Sequence, residues 1–128
     1  MKEISEAIAQ REAGNLTEAN KQLVKLAAAN PDHAETHYQC AWSFDVLGQE
    51  RAAVPYYKRA IALGLPDEQA EGAYLGLGST YRTLGEYEEA KKTLWNAITL
   101  FPENKALQVF MPWCSMIASS TEKLSRFS

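Results

Sequence analysis

His33, His37 and Cys40 stand at spacings of four and three residues, with Asp32 just before them. On a helix those spacings bring all three side chains to one face, and zinc favours imidazole, thiolate and carboxylate ligands. A metal site is therefore the sharpest chemistry the chain offers. Other reactive arrangements are weaker. No serine or cysteine sits in a nucleophile motif, and Gly76-Leu77-Gly78 lies within a helical pattern rather than between a strand and a helix, so it does not cradle phosphate. The adjacent Glu88 and Glu89 read as the solvated start of a helix, where the dipole favours carboxylates. No catalytic residue is assigned, and an enzyme is not expected.

The elements that position these residues repeat. Gly14, Gly48 and Gly85 are separated by 34 and then 37 residues, and so are Ala19, Ala53 and Ala90. A fixed period of this size marks stacked supersecondary units, which expose a long concave surface. Apolar periodicity predicts helices over 2–13, 17–29, 33–47, 51–63, 68–84, 88–100 and 105 to about 118. The glycines fall where the first helix of each pair ends, since a left-handed closing residue is least strained without a Cβ. Asn15 with Glu18, and Asp32 with Glu35, are expected to cap the helices that follow. Pro31, Pro66 and Pro102 stop the second helices, and Pro55 is expected to be tolerated near the first turn of its helix.

Residues 71–104 carry the pattern most clearly. Tyr74, Leu77, Gly78, Tyr81, Ala90, Leu94, Ala97 and Pro102 stand at positions 4, 7, 8, 11, 20, 24, 27 and 32 of that segment, which resembles a tetratricopeptide repeat. His37, Cys40, Ala41, Phe44, Ala53, Tyr57 and Ala60 register with them in the second copy, where His37 and Leu65 depart from the usual choices and Pro66 comes one place late. The first copy supplies Ala7, Ala19 and Leu23, although Glu3 and Glu6 depart from the pattern. The resemblance implies an all-α, right-handed superhelical solenoid of three helix-turn-helix hairpins plus a C-terminal capping helix. One domain would span 1–128, with repeats at about 1–33, 34–70 and 71–104 and a degenerate fourth repeat or cap at 105–128. It also places His37 and Cys40 where side chains pack against the partner helix, so no metal and no cofactor is expected. The three extra residues around Gly64-Leu65-Pro66-Asp67 are similar to an insertion in one bacterial group of small tetratricopeptide proteins.

In such repeats the inner helices line the groove. The positions that face it correspond to Ile4, Ile8, Arg11 and Glu12; to Glu35, Tyr38, Trp42, Asp45 and Val46; and to Gly72, Leu75, Ser79, Arg82 and Thr83. The resemblance therefore implies a scaffold that binds a peptide segment of a partner protein. Ile4, Ile8, Tyr38, Trp42 and Leu75 are the expected apolar anchors, with Arg11, Asp45 and Arg82 rimming the floor and Ser79 also facing the groove. The alternatives are that Ile4 and Ile8 pack the N-terminal hairpin and that Trp42 is covered by the chain's own tail. A chaperone-tail adaptor is less favoured. Ile4 and Ile8 stand where its carboxylate clamp has Lys and Asn, and Gly72 and Gly76 where it has basic residues.

The tail carries another function class, homo-oligomerisation. Phe110, Trp113 and Ile117 belong to an apolar set that covers more than one helical face, interrupted by Pro112. They are expected to pair two copies in a homodimer or to fold back on the groove, unless a further hairpin covers them. With 13 basic and 16 acidic residues, a net charge of −3 and no basic cluster, a nucleic-acid partner is not expected. No run reaches the roughly 20 apolar residues of a membrane span, and Glu3, Glu6 and Glu12 do not suit a secretory signal. Cys40 and Cys114 form no disulfide framework, which suits a reducing compartment, so a cytoplasmic location is expected.

Overall fold

The computed structural model describes residues 2–109. Those residues form seven helices and no strand: α1 (Lys2–Glu12), α2 (Leu16–Ala29), α3 (Ala34–Val46), α4 (Glu50–Leu63), α5 (Asp67–Thr83), α6 (Tyr87–Leu100) and α7 (Lys105–Gln108). Each helix packs on the next, and α1 on α3 and α3 on α5, so the inner helices stand side by side along a superhelical solenoid of hairpins. The remainder of the helix expected to reach 118 lies outside the described residues.

The turn inside each hairpin is built the same way three times. Gly14, Gly48 and Gly85 take φ of +93°, +77° and +79°. Their N–H groups donate three residues back, to Arg11, Asp45 and Arg82 carbonyls, while the following residue donates to Gln10, Phe44 or Tyr81. That pair of bonds satisfies carbonyls a helix end would otherwise leave bare, and it fixes where the chain reverses.

The start signals differ from expectation. Asn15 makes no side-chain cap; its Nδ2 donates to Gln10 Oε1 at 2.7 Å instead. Asp32 does not cap α3, because its carboxylate accepts from Arg59 Nη2 at 3.1 Å. His33 caps that helix, its Nδ1 accepting from the Thr36 backbone N–H at 3.3 Å. Pro55 is the sixth residue of α4, beyond the first turn where it was expected, and it is tolerated on an exposed face.

Small residues let the helices close up. Ala7, Ala19, Ala41, Ala53, Ala60, Ala73, Ala90 and Ala97 are all buried. Around them run three apolar clusters, centred on Leu23 with Cys40, on Tyr57 with Leu77 and Tyr81, and on Leu94 with Ile98 and Leu107. No hairpin closes its own core: Tyr57 of the second packs with Ala73 and Leu77 of the third.

Candidate functional site

The concave face is lined by α1, α3 and α5, and its centre is an aromatic and charged cluster. Trp42 on α3 is 39% exposed. The Arg11 guanidinium from α1 lies over its ring, Cζ 3.9 Å from the centroid, and Arg11 Nη1 donates to Gln39 Oε1 at 2.8 Å. Tyr38, one turn before Trp42, sits 6.1 Å from it and 6.4 Å from Tyr57, centroid to centroid. The Tyr57 hydroxyl then donates to Asp45 Oδ2 at 3.1 Å. A cation, three rings and a carboxylate thus form one connected wall across two repeats.

Burial sets the electrostatics of that wall. Desolvation lowers the Arg11 pKa and raises those of Tyr38 and Asp45, with Tyr57's hydrogen bond opposing the shift at Asp45. Tyr57, more deeply buried, is raised further, first by desolvation and then by the Asp45 charge.

Glycines on α5 supply the bed. A Cβ on Gly72 would meet the Tyr38 hydroxyl, and one on Gly76 would lie 2.6 Å from Tyr57 Cζ. The two rings therefore lean into the space those glycines leave open. Sequence reasoning put Gly72 in the groove but missed Tyr57, an outer-helix residue, and Gln39, which is buried and holds Arg11. The signal available was the pair of glycines four apart on α5, a flat strip able to receive side chains from the preceding repeat.

The other expected groove residues divide. Ile8, Leu75 and Ser79 are half-buried and Arg82 is exposed. Leu75 also packs against the Leu94 cluster. Ile4 needs correction as an anchor: it is 2% exposed, on a helix that packs against both α2 and α3, so it serves the core. Phe110, Trp113 and Ile117 lie outside the described residues.

The zinc-like trio has other duties. His33 is the cap described above, and His37 Nε2 donates to the Pro31 carbonyl at 2.9 Å while its ring stacks on Tyr56. Cys40 is fully buried, and desolvation pushes its thiol from an ordinary 9.0 up to about 12, against hydrogen bonds with Tyr56 and Ser43 that lower it. Among the described residues no group of three or more His, Cys, Asp or Glu is placed to hold a metal ion.

A pH dependence follows. Between pH 9.0 and about 12 the unfolded thiol has lost its proton and the native one keeps it, so stability present below that window falls as pH rises through it. Cys40→Ala should make the alkaline decline of the urea midpoint shallower from pH 9 upward; an unchanged decline would contradict the burial. In the folded protein Cys40 should also resist iodoacetamide at neutral pH and react once urea unfolds it, as mapped by mass spectrometry.

Helical hairpins stacked with small-residue contacts, glycine-closed turns and an open concave wall define a helical-repeat scaffold. The tetratrico peptide repeat family matches residues 33–123, and the chain belongs to that family. No curated protein matches it. Among solved structures it is similar to the first repeat domain of Spaghetti (RPAP3) bound to the HSP90 peptide SRMEEVD, with a TM-score of 0.80 and 21% identity over 91% of this chain and 90% of that one. The second such domain of human RPAP3, in complex with the HSP70 peptide SGPTIEEVD, gives 0.77 and 20% identity over 88% and 92%. The Yersinia enterocolitica type III secretion chaperone SycD, in complex with a peptide of the translocator YopD, gives 0.72 and 16% over 97% and 92%. At these identities the likeness is one of fold. Among the described residues no helix is long and apolar enough to cross a membrane.

Proposed function

We propose that this protein is a non-enzymatic scaffold whose groove holds a peptide segment of a partner protein, with Ile8, Tyr38, Trp42 and Leu75 as the apolar contacts. One observation carries the reading. A large indole on the inner face is fixed by Arg11 above and Tyr38 beside it, yet keeps 39% of its surface open. Immobilised aromatics of this kind make strong anchors because little side-chain entropy remains to be lost on binding. The peptide complexes of structurally similar domains agree in kind.

A chaperone-tail adaptor fits less well. A terminal carboxylate taken from water needs charge-assisted donors. Ile4, Ile8, Gly72 and Gly76 offer no such side chain, and the space over the two glycines is filled by Tyr38 and Tyr57. The buried, reduced thiol of Cys40 suits a reducing cytoplasm, and the insertion at Gly64-Leu65-Pro66 supports a bacterial source.

Panning a random short-peptide library displayed on phage against the wild type and Trp42→Ala in parallel tests the groove. Peptides with aliphatic or aromatic anchors should enrich on the wild type, and their synthetic versions should bind Trp42→Ala about 30-fold more weakly, a loss of about 2 kcal/mol. Equal enrichment and equal affinity on both proteins would overturn the assignment.

A further inference from the structure

Arg11 brings to the groove wall a positive charge that no side chain among the described residues pairs with at contact distance. The Trp42 face and the Gln39 carboxamide hold it, and no carboxylate among the described residues comes within ion-pair distance. A guanidinium has five N–H donors in a fixed fork, and the bond to Gln39 uses one. Gln39, itself buried, and the indole hold the fork in place, so its remaining donors are oriented before any ligand arrives. Partial burial lowers the Arg11 pKa, and the charge of the neighbouring Glu12 offsets that loss of water only in part.

We propose that Arg11 sets the specificity of the groove by pairing with a single internal Asp or Glu side chain of the bound peptide, next in sequence or in space to the apolar residue that covers Trp42. This rests on the groove reading above. The carboxylate is single because Asp45, one turn beyond Trp42 on the same helix, would repel a second acid and instead accepts a donor. It is internal because Tyr38 and Tyr57 occupy the space beside Gly72 and Gly76, leaving no basic pocket there for a chain end. Its position beside the anchor follows from the 3.9 Å contact between Arg11 and the Trp42 ring.

The probes are the phage-selected peptides that bind wild type and not Trp42→Ala, made again with Asp or Glu changed to Asn or Gln. Each pair is titrated against wild type, Arg11→Gln and Arg11→Lys. On the wild type the change to carboxamide should weaken binding about tenfold, the scale of one charge-assisted hydrogen bond. Arg11→Gln should bind both versions alike, and Arg11→Lys, a point charge without the fork, should fall between. A carboxamide effect under about twofold on wild type, or an equal loss on Arg11→Gln, would overturn the proposal and leave the Trp42-dependent groove standing. Absence of any Trp42-dependent peptide would overturn both. Circular dichroism checks that each Arg11 variant is folded, and where Arg11→Gln is not, the carboxamide effect on Arg11→Lys decides: a loss equal to that of the wild type would overturn the proposal.

Discussion

Tyr57→Ala should destabilise the protein by about 3 to 5 kcal/mol, the range for removing a large buried aromatic ring. The ring is 3% exposed and belongs to the cluster that joins α3 and α4 to α5. It fills the strip at Gly76, where no side chain of α5 can move in to replace it. Its loss also removes the hydroxyl that bonds Asp45 and one of the two rings that flank Tyr38. Tyr57→Phe separates these effects. It keeps the ring and costs about 1 kcal/mol, because the half-buried Asp45 carboxylate can exchange its lost donor for water. Urea unfolding followed by circular dichroism measures both. A solenoid is held repeat to repeat, so weakening the junction between its second and third hairpins should also make the Tyr57→Ala transition less cooperative. A loss below about 1 kcal/mol for Tyr57→Ala would mean that the ring contributes little to that junction.

The repeat architecture was legible because it rests on residues with few substitutes. A left-handed helix end favours glycine, and closely approaching helices need alanine, so Gly14, Gly48 and Gly85 with Ala19, Ala53 and Ala90 announced the hairpins before any contact was known. Caps were less legible because several side chains compete for one amide. Asp32 is by type the stronger cap candidate, but Arg59 from α4 takes its carboxylate, and the imidazole of the next residue reaches the Thr36 N–H instead. No local pattern contains Arg59, which lies 27 residues away.

The groove was legible by face and not by depth. Repeat spacing placed Ile4 and Ile8 on the same side of α1, yet one is buried and the other half-open, a difference that depends on how α2 and α3 pack around α1. Trp42 and Arg11 were both identified as groove residues, but their stacking was not, because it joins two repeats. Tyr57 was assigned to packing alone. It does pack, and through its hydroxyl it also holds the Asp45 carboxylate that borders the site. Core and groove therefore share this side chain, and a change intended for one will be felt in the other.

The second large effect is a coupling between Gly78 and Leu94. A Cβ on Gly78 would stand 2.5 Å from Leu94 Cδ2 and 2.6 Å from its Cγ, and Leu94 is 0% exposed. Gly78→Ala gains about 1 kcal/mol of helix propensity, but overpacking of this kind costs about 1 to 3 kcal/mol, so it should destabilise on balance. Leu94→Ala should cost about 2 to 5 kcal/mol by emptying the centre of the α5–α6–α7 cluster. Together the two changes should cost less than their sum by about 1 kcal/mol or more, because the methyl added on α5 enters space that the leucine vacates. Urea unfolding of the four proteins measures the coupling directly. Additivity within about 0.5 kcal/mol would mean that α5 and α6 move apart to accept the methyl. The close approach at Gly78 would then be a convenience of the packing, and the spacing of the hairpin would be set by its other small residues.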